Sequence, residues 1–313
     1  MNPTSVLFEA FLKCPTKCYL RSVGEVGSGN AYAEWVLAQN DTYRGEATKW
    51  LMEGVPEVER AISPSATEDL KASKWRVAVD LQVQTATMES RIHAVERVPS
   101  EGRGRPAQFV PIRFIPFNKL TKDDRLLVVF DALVLSEVRR REVGVGKIIH
   151  GDGQATLKVK TASLMGTLRK LTGNMEAALT GSTPPDLVLN RYCAECEFRD
   201  RCRQKALEKD DLSLLSGMAE KERKGYHKKG IFTVTQLSFT FRPRRRPKRL
   251  RDKREKYHQS LKALAIREKK IHIVGTPELN IEGTPVFLDV EALPDRDFYY
   301  LIGARVPTGE GMV

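Results

Sequence analysis

The chain has 313 residues, 41% of them hydrophobic, enough for one large domain or two ordinary ones, which excludes a chain disordered by composition. Its 52 Lys and Arg outweigh 40 Asp and Glu, a formal charge of +12 that favours an anionic partner such as nucleic acid over an acidic small molecule. No stretch approaches the roughly 18 consecutive apolar residues of a membrane span, and the N-terminus MNPTSVLFEAFLKC lacks a charged segment followed by a long apolar run, so the expectation is a cytoplasmic protein with no membrane partner.

In chain order, Leu7, Phe8, Phe11 and Leu12 recur at helical spacing, which places Cys14 at or just beyond the end of a short helix broken by Pro15. A second helix is expected over about 45–58, with Trp50 and Leu51 facing a core. WRVAVDLQVQTATMESRIHAVERV, residues 75–98, alternates in β-prone runs and reads as two or three antiparallel strands, and FVPIRFIP is a further strand after a Gly-rich turn. DRLLVVFDALVLSEVRR is apolar on nearly every face, as a buried helix should be; GKIIHGDG with QATLKVKT reads as a hairpin, and LMGTLRKLTGNMEAAL as an amphipathic helix. That order suits an α/β domain with a mixed sheet flanked by helices over residues 1–208. Residues 209–240 look like two short helices around a turn at Lys228 to Gly230, a small helix-turn-helix-like module. Residues 241–270 read as a basic linker, because 242–256 hold ten Lys or Arg against Asp252 and Glu255 and such a block repels itself too strongly to pack. In 271–313, TPVFLDVEALPDRDFYYLIGARV reads as a β-hairpin with Pro294 and Asp295 in its turn.

Five cysteines in a reducing compartment read as metal ligands before disulfides. CAECEFRDRC supplies Cys193, Cys196 and Cys202, and a fourth thiolate must come from Cys14 or Cys18. Four thiolates enclose either zinc or an iron-sulfur cluster, and spacing alone does not separate the two. A ligand near each end of the domain would couple binding to folding. The run from Arg242, with Arg244, Arg245, Arg246, Lys248 and Arg249 behind Phe239 and Phe241, is the expected contact for nucleic-acid phosphates.

FLKCPTKCYL and RYCAECEFRDRC together resemble the CRISPR-associated RecB-like exonucleases and the AddB-type helicase-nucleases, over about the first 205 residues. The resemblance implies a [4Fe–4S] cluster on Cys14, Cys193, Cys196 and Cys202, leaving Cys18 as a buried spare. It also implies a PD-(D/E)XK restriction-endonuclease-like fold, in which strand carboxylates and a Lys hold Mg2+ or Mn2+ to activate water, and DNA, single-stranded or at ends, as the partner. The catalytic pattern departs from the family: aligning IHAVERV and FVPIRFIP puts His93 and Arg113 at the acid positions, Ile115 at the Lys and Leu127 at the usual Gln. The nuclease centre therefore reads as degenerate, the alternative being an active exonuclease in DNA repair or CRISPR-type processing that uses Glu89, Glu96, Asp124 or Asp131. A third alternative is a zinc-stapled interaction protein. His93 and His150 are expected to be structural.

VFLDVEALPDRDFYYLIG resembles the first strands of an RNase H-like exonuclease domain, whose leading D-x-E metal ligands would fall on Asp289 and Glu291. The residues that follow are too few to complete such a domain, so a truncated or shortened relative is expected, with a helicase or second nuclease domain possible in a longer protein.

Overall fold

A computed structural model describes residues 2–64, 73–99, 107–181, 183–242, 258–272, 283–293, 298–308 and 311–312. Helix α1, Ser5–Lys13, begins where the Thr4 hydroxyl accepts the Leu7 N–H, and Pro15 opens α2, Pro15–Ser22, in a first turn whose N–H groups have no intrahelical acceptor. Cys14 is the extended residue between them, as expected.

Helix α3 runs Ala31–Glu53, started by Asn30, whose side chain accepts from the N–H groups of Tyr32 and Ala33, and ended at Gly54 before Pro56. The expected helix at 45–58 thus starts fourteen residues earlier and stops sooner. Its first half, AYAEWVLAQND, lies largely on the surface and buries only Ala33 and Val36, and its apolar residues fall on every side of the helix, so it lacks the single apolar stripe that marks a packed helix. Trp50, expected in a core, is 44% exposed; Ala47 and Met52 face inward instead, with Leu51 partly buried.

Strands β1 (Arg60–Ile62), β2 (Val77–Gln84), β3 (Glu89–Val98), β4 (Gln108–Ile115), β5 (Val145–His150) and β6 (Ala155–Lys160) form one mixed sheet in sequence order. β2, β3 and β4 make an antiparallel meander, β1 runs parallel to β2, β5 parallel to β4, and β5 and β6 close a hairpin. Helix α4, Lys122–Arg139, is the crossover between β4 and β5, which parallel strands require. A Thr121–Asp124 capping box starts it, and Val128, Val129, Phe130 and Ala132 are fully buried. Helix α5, Ala162–Thr180, buries only the stripe Leu168, Thr172 and Met175. The fold is thus α/β with helices on both faces of a six-stranded mixed sheet, α1, α4 and α5 over one core and α3 over the other.

Side chains on a strand should alternate between these cores, yet Val79 faces the α3 side and Leu81 the other, as do their cross-strand partners Ala94 and Ile92. The alternation changes phase at Asp80, whose φ of +57° lies in the left-handed region. Arg91 holds its carboxylate with two bonds of 2.7 Å, and Arg44 approaches at 3.3 Å. Those bonds, the Arg91 ones foremost, keep the Asp80 carboxyl below the usual range.

Beyond the sheet, α6 (Arg199–Glu208), α7 (Glu220–His227), α8 (Val234–Ser238) and α9 (Gln259–Glu268) follow. Leu212, Leu215, Val234, Leu237 and Ala263 form a small core of their own, and Arg223 is buried between Asp186 and Asp211 at 3.0 and 2.8 Å. Part of the range expected to be a basic linker is therefore helix α9, which buries Ala263 against α8; residues 243–257 lie outside the described residues. Strands β7 (Phe287–Leu293) and β8 (Phe298–Arg305) pair antiparallel, as the expected hairpin. The turn assigned to Pro294 and Asp295 lies outside the described residues. No helix among the described residues is long and apolar enough to cross a membrane.

Candidate cysteine centre and sheet cleft

Cys193 lies in a short 3-10 turn, Arg191–Glu195, capped by Asn190, with Cys196 at its end and Cys202 in the first turns of α6. These three and Cys14, from the junction of α1 and α2, line one pocket together with Asn190 and Phe198. All five cysteines are free thiols. Cys18 is buried in the main core instead, and burial pushes its thiol up to about 12, the behaviour of an inert spare.

Burial raises the thiols of Cys193, Cys196 and Cys202, the last to about 11 with further repulsion from Cys196, Cys14 and Cys193. Backbone N–H groups oppose this: Asn190 donates to the Cys193 Sγ at 3.3 Å and Phe198 to Cys196, while the charge of Lys17 favours both thiolates. A set of sulfurs that would repel one another as thiolates, with N–H donors aimed at two of them and Leu20 and Phe198 behind, matches what a thiophilic metal centre asks of its ligands. The donor set therefore fits the group that the sequence resemblance implies. Among the described residues no three His, Cys, Asp or Glu side chains already close on a point that would hold a single metal ion.

The two ends of the domain are joined around this pocket by contacts that the motifs did not reveal. The Asn190 amide donates to the Lys13 carbonyl at 3.1 Å, and Asn30 donates to the carbonyls of Ala194 and Cys196 at 2.9 and 3.2 Å. Glu197 receives Lys17 at 2.9 Å and Arg21 at 2.6 Å. Burial alone would raise its carboxyl, but these two hydrogen bonds hold it below the usual range. Gly27 rests against the same residue: a Cβ there would lie 2.6 Å from the Glu197 carbonyl oxygen. No sequence spacing announces such pairs, because each joins positions well over a hundred residues apart.

A separate cleft of about 260 Å³ lies beside the C-terminal end of β4, and His93, Arg113, Ile115 and Leu127 all line it. The four positions aligned with a nuclease centre are thus neighbours. Their chemistry is not that of a metal site. Arg113 is buried and donates to Asp131 through Nε at 2.6 Å and Nη2 at 2.8 Å, and the Ser90 hydroxyl donates to the same carboxylate at 2.5 Å. His93 Nδ1 accepts the Phe114 N–H at 3.1 Å, and burial, then the charges of Arg113, Arg44 and Arg91, hold its imidazole well below its ordinary value, so it is neutral. The other carboxylates considered from sequence are engaged: Glu89 with Gln82, Glu96 with Lys147, and Asp124 in the cap of α4.

No family model and no curated protein matches the chain. Of the remaining expected residues, Asp289 and Glu291 lie two apart on β7, both exposed, opposite Gly303 and Leu301 of β8. Arg242 is exposed, and Arg244, Arg245, Arg246, Lys248 and Arg249 lie outside the described residues.

Proposed function

We propose that this chain is a DNA-binding protein of the RecB-like nuclease type, stabilised by an iron-sulfur cluster on Cys14, Cys193, Cys196 and Cys202, with its PD-(D/E)XK centre disabled. The single observation that carries the reading is that these four thiols, from the two ends of the domain, share one pocket while the fifth does not. The cluster would act as a structural staple, since its ligands pin the α1–α2 junction to the segment before α6. Support for the disabled centre comes from Arg113, which puts a cation where a metal would sit and engages Asp131 itself. On the displaced-carboxylate alternative, Asp131 is one of the oxygen ligands that Mg2+ or Mn2+ would use, and it is already engaged. The charge of +12 supports an anionic partner, DNA on this reading.

We also read β7 and β8 as the opening strands of an RNase H-like exonuclease unit. Phe287, Leu288, Leu301 and Ile302 are all exposed, so apolar side chains stand on both faces of the hairpin, as in strands that belong inside a larger sheet.

The deciding experiment is anaerobic purification followed by visible absorbance, iron and acid-labile sulfide analysis. The expected product is coloured and carries iron and sulfide, Cys14→Ser loses both, and Cys18→Ser keeps them. A colourless protein carrying one zinc would replace this reading with the zinc-stapled one. Labelled single-stranded DNA incubated with Mg2+ or Mn2+ should remain intact; cleavage lost in Asp131→Ala would show that the centre is active.

A further inference from the structure

At the opposite end of β4 from the cleft, three arginines gather, with Glu142 beside them. Arg97 on β3 and Phe109 on β4 are cross-strand partners, so their side chains rise from the same face. Arg139, in the last turn of α4, lies over the Phe109 ring at 3.7 Å from its centroid. Arg141 follows in the turn into β5. A recess of about 290 Å³ opens here, lined by Phe109, Arg139, Arg141 and Glu142. It is several times the ~30 Å³ that a water molecule occupies in the liquid.

Arginine at the end of a helix has an ordinary explanation, since the carbonyl end of the dipole favours cations. That explanation does not reach Arg97, which comes from a strand. Nor does it account for the donors: the Nε–H groups of both Arg97 and Arg139 are buried and meet no acceptor among the described residues. A buried donor without a partner is costly. Burial, then the charges of Arg141 and Arg97, depresses the Arg139 guanidinium, so the three cations crowd one another. Stacking on Phe109 fixes the plane of one guanidinium in advance, which lowers the entropy lost when it grips a ligand. Forked guanidinium donors, one of them held in a fixed plane, are what a tetrahedral oxyanion requires.

We propose that Arg97, Arg139 and Arg141 form a phosphate-binding site, and, resting on the reading that this chain binds DNA, that its ligand is the phosphodiester backbone. The site is separate from the basic run after Arg242 and belongs to the sheet itself. DNA held here would lie beside the β3–β4 end of the sheet, not in the cleft that contains His93.

The test uses the full chain and the double variant Arg97→Gln/Arg141→Gln, leaving the stacked Arg139 in place. Thermal unfolding is compared in inorganic phosphate and in chloride at equal ionic strength. Phosphate should raise the wild-type midpoint by roughly 2–8 °C when saturating, and the variant should lose most of that rise. Its midpoint in chloride should be unchanged or higher, because like charges have been removed. Fluorescence anisotropy with labelled single-stranded DNA should show about tenfold weaker binding and a salt slope smaller by about 1 to 1.5, for two lost phosphate contacts. Equal phosphate stabilisation in both proteins overturns the site, and so, where the wild type binds DNA, do an affinity and salt slope unchanged by the substitutions. A phosphate effect lost in the variant, with no salt-dependent DNA affinity in the wild type, upholds the phosphate site and rejects the DNA reading.

Discussion

Arg113 and Asp131 are both nearly inaccessible to solvent, and each is the other's main charge partner. Removing one side leaves a buried charge uncompensated, so Arg113→Ala should lower stability by about 3–5 kcal/mol, read as a shift of the urea midpoint at constant slope. Arg113→Met with Asp131→Leu should recover most of that loss, because the pair is replaced by apolar volume. His93 makes a different statement. Its imidazole is held well below the ordinary value in the folded chain, while the unfolded chain takes up a proton near pH 6.5. The unfolded state therefore binds more protons below that pH, and stability should fall as pH drops from about 6.5, by up to ~1.4 kcal/mol per pH unit from this group. His93→Asn should flatten that limb of the stability profile. From the sequence, the loss of acid and Lys at these positions was legible; the replacement of a metal site by a buried ion pair was not, since Asp131 sits in the middle of an apolar helix pattern with nothing to name its partner.

The helices and strands that bury a clear stripe or a full face were read correctly, α4 and the β5–β6 hairpin most clearly. The start of α3 was not legible, because Ala31, Tyr32, Ala33, Trp35, Val36 and Leu37 are spread around the helix and only Ala33 and Val36 among them are buried, which leaves no one-sided apolar stripe. The change of phase at Asp80 was also hidden, because one residue in the left-handed region leaves both halves of β2 looking like regular alternation. Between elements, the approach of Gly27 to Glu197 is the tightest steric demand near the cysteines. Gly27→Ala should push the 23–29 connection off the cysteine segment and disturb the bonds of Glu197 to Lys17 and Arg21. The expected result is a loss of about 1–3 kcal/mol in thermal or chemical denaturation. Gly54→Ala, whose Cβ would meet nothing within 4 Å, is the control and should change stability little.

At the scale of the molecule, the mixed sheet with helices on both faces was legible from the order of elements, whereas the spacing left Cys14 and Cys18 open as the fourth thiol, and it is Cys14 that lines the pocket with Cys193, Cys196 and Cys202. What the motifs could not supply is the layer of polar contacts that holds the two ends together, because such contacts depend on three-dimensional proximity alone. If a cluster adds to those contacts, then Cys14→Ser should expose the α1–α2 segment to limited proteolysis ahead of the sheet, detectable by mass spectrometry of the first fragments released. The same arrangement sets an order of events during synthesis. Asn190 meets Lys13 across 177 positions of chain. The first thiol leaves the ribosome while the sheet strands and the other three ligands are still being made, so any inorganic centre that needs all four is completed only after the six sheet strands have been synthesised.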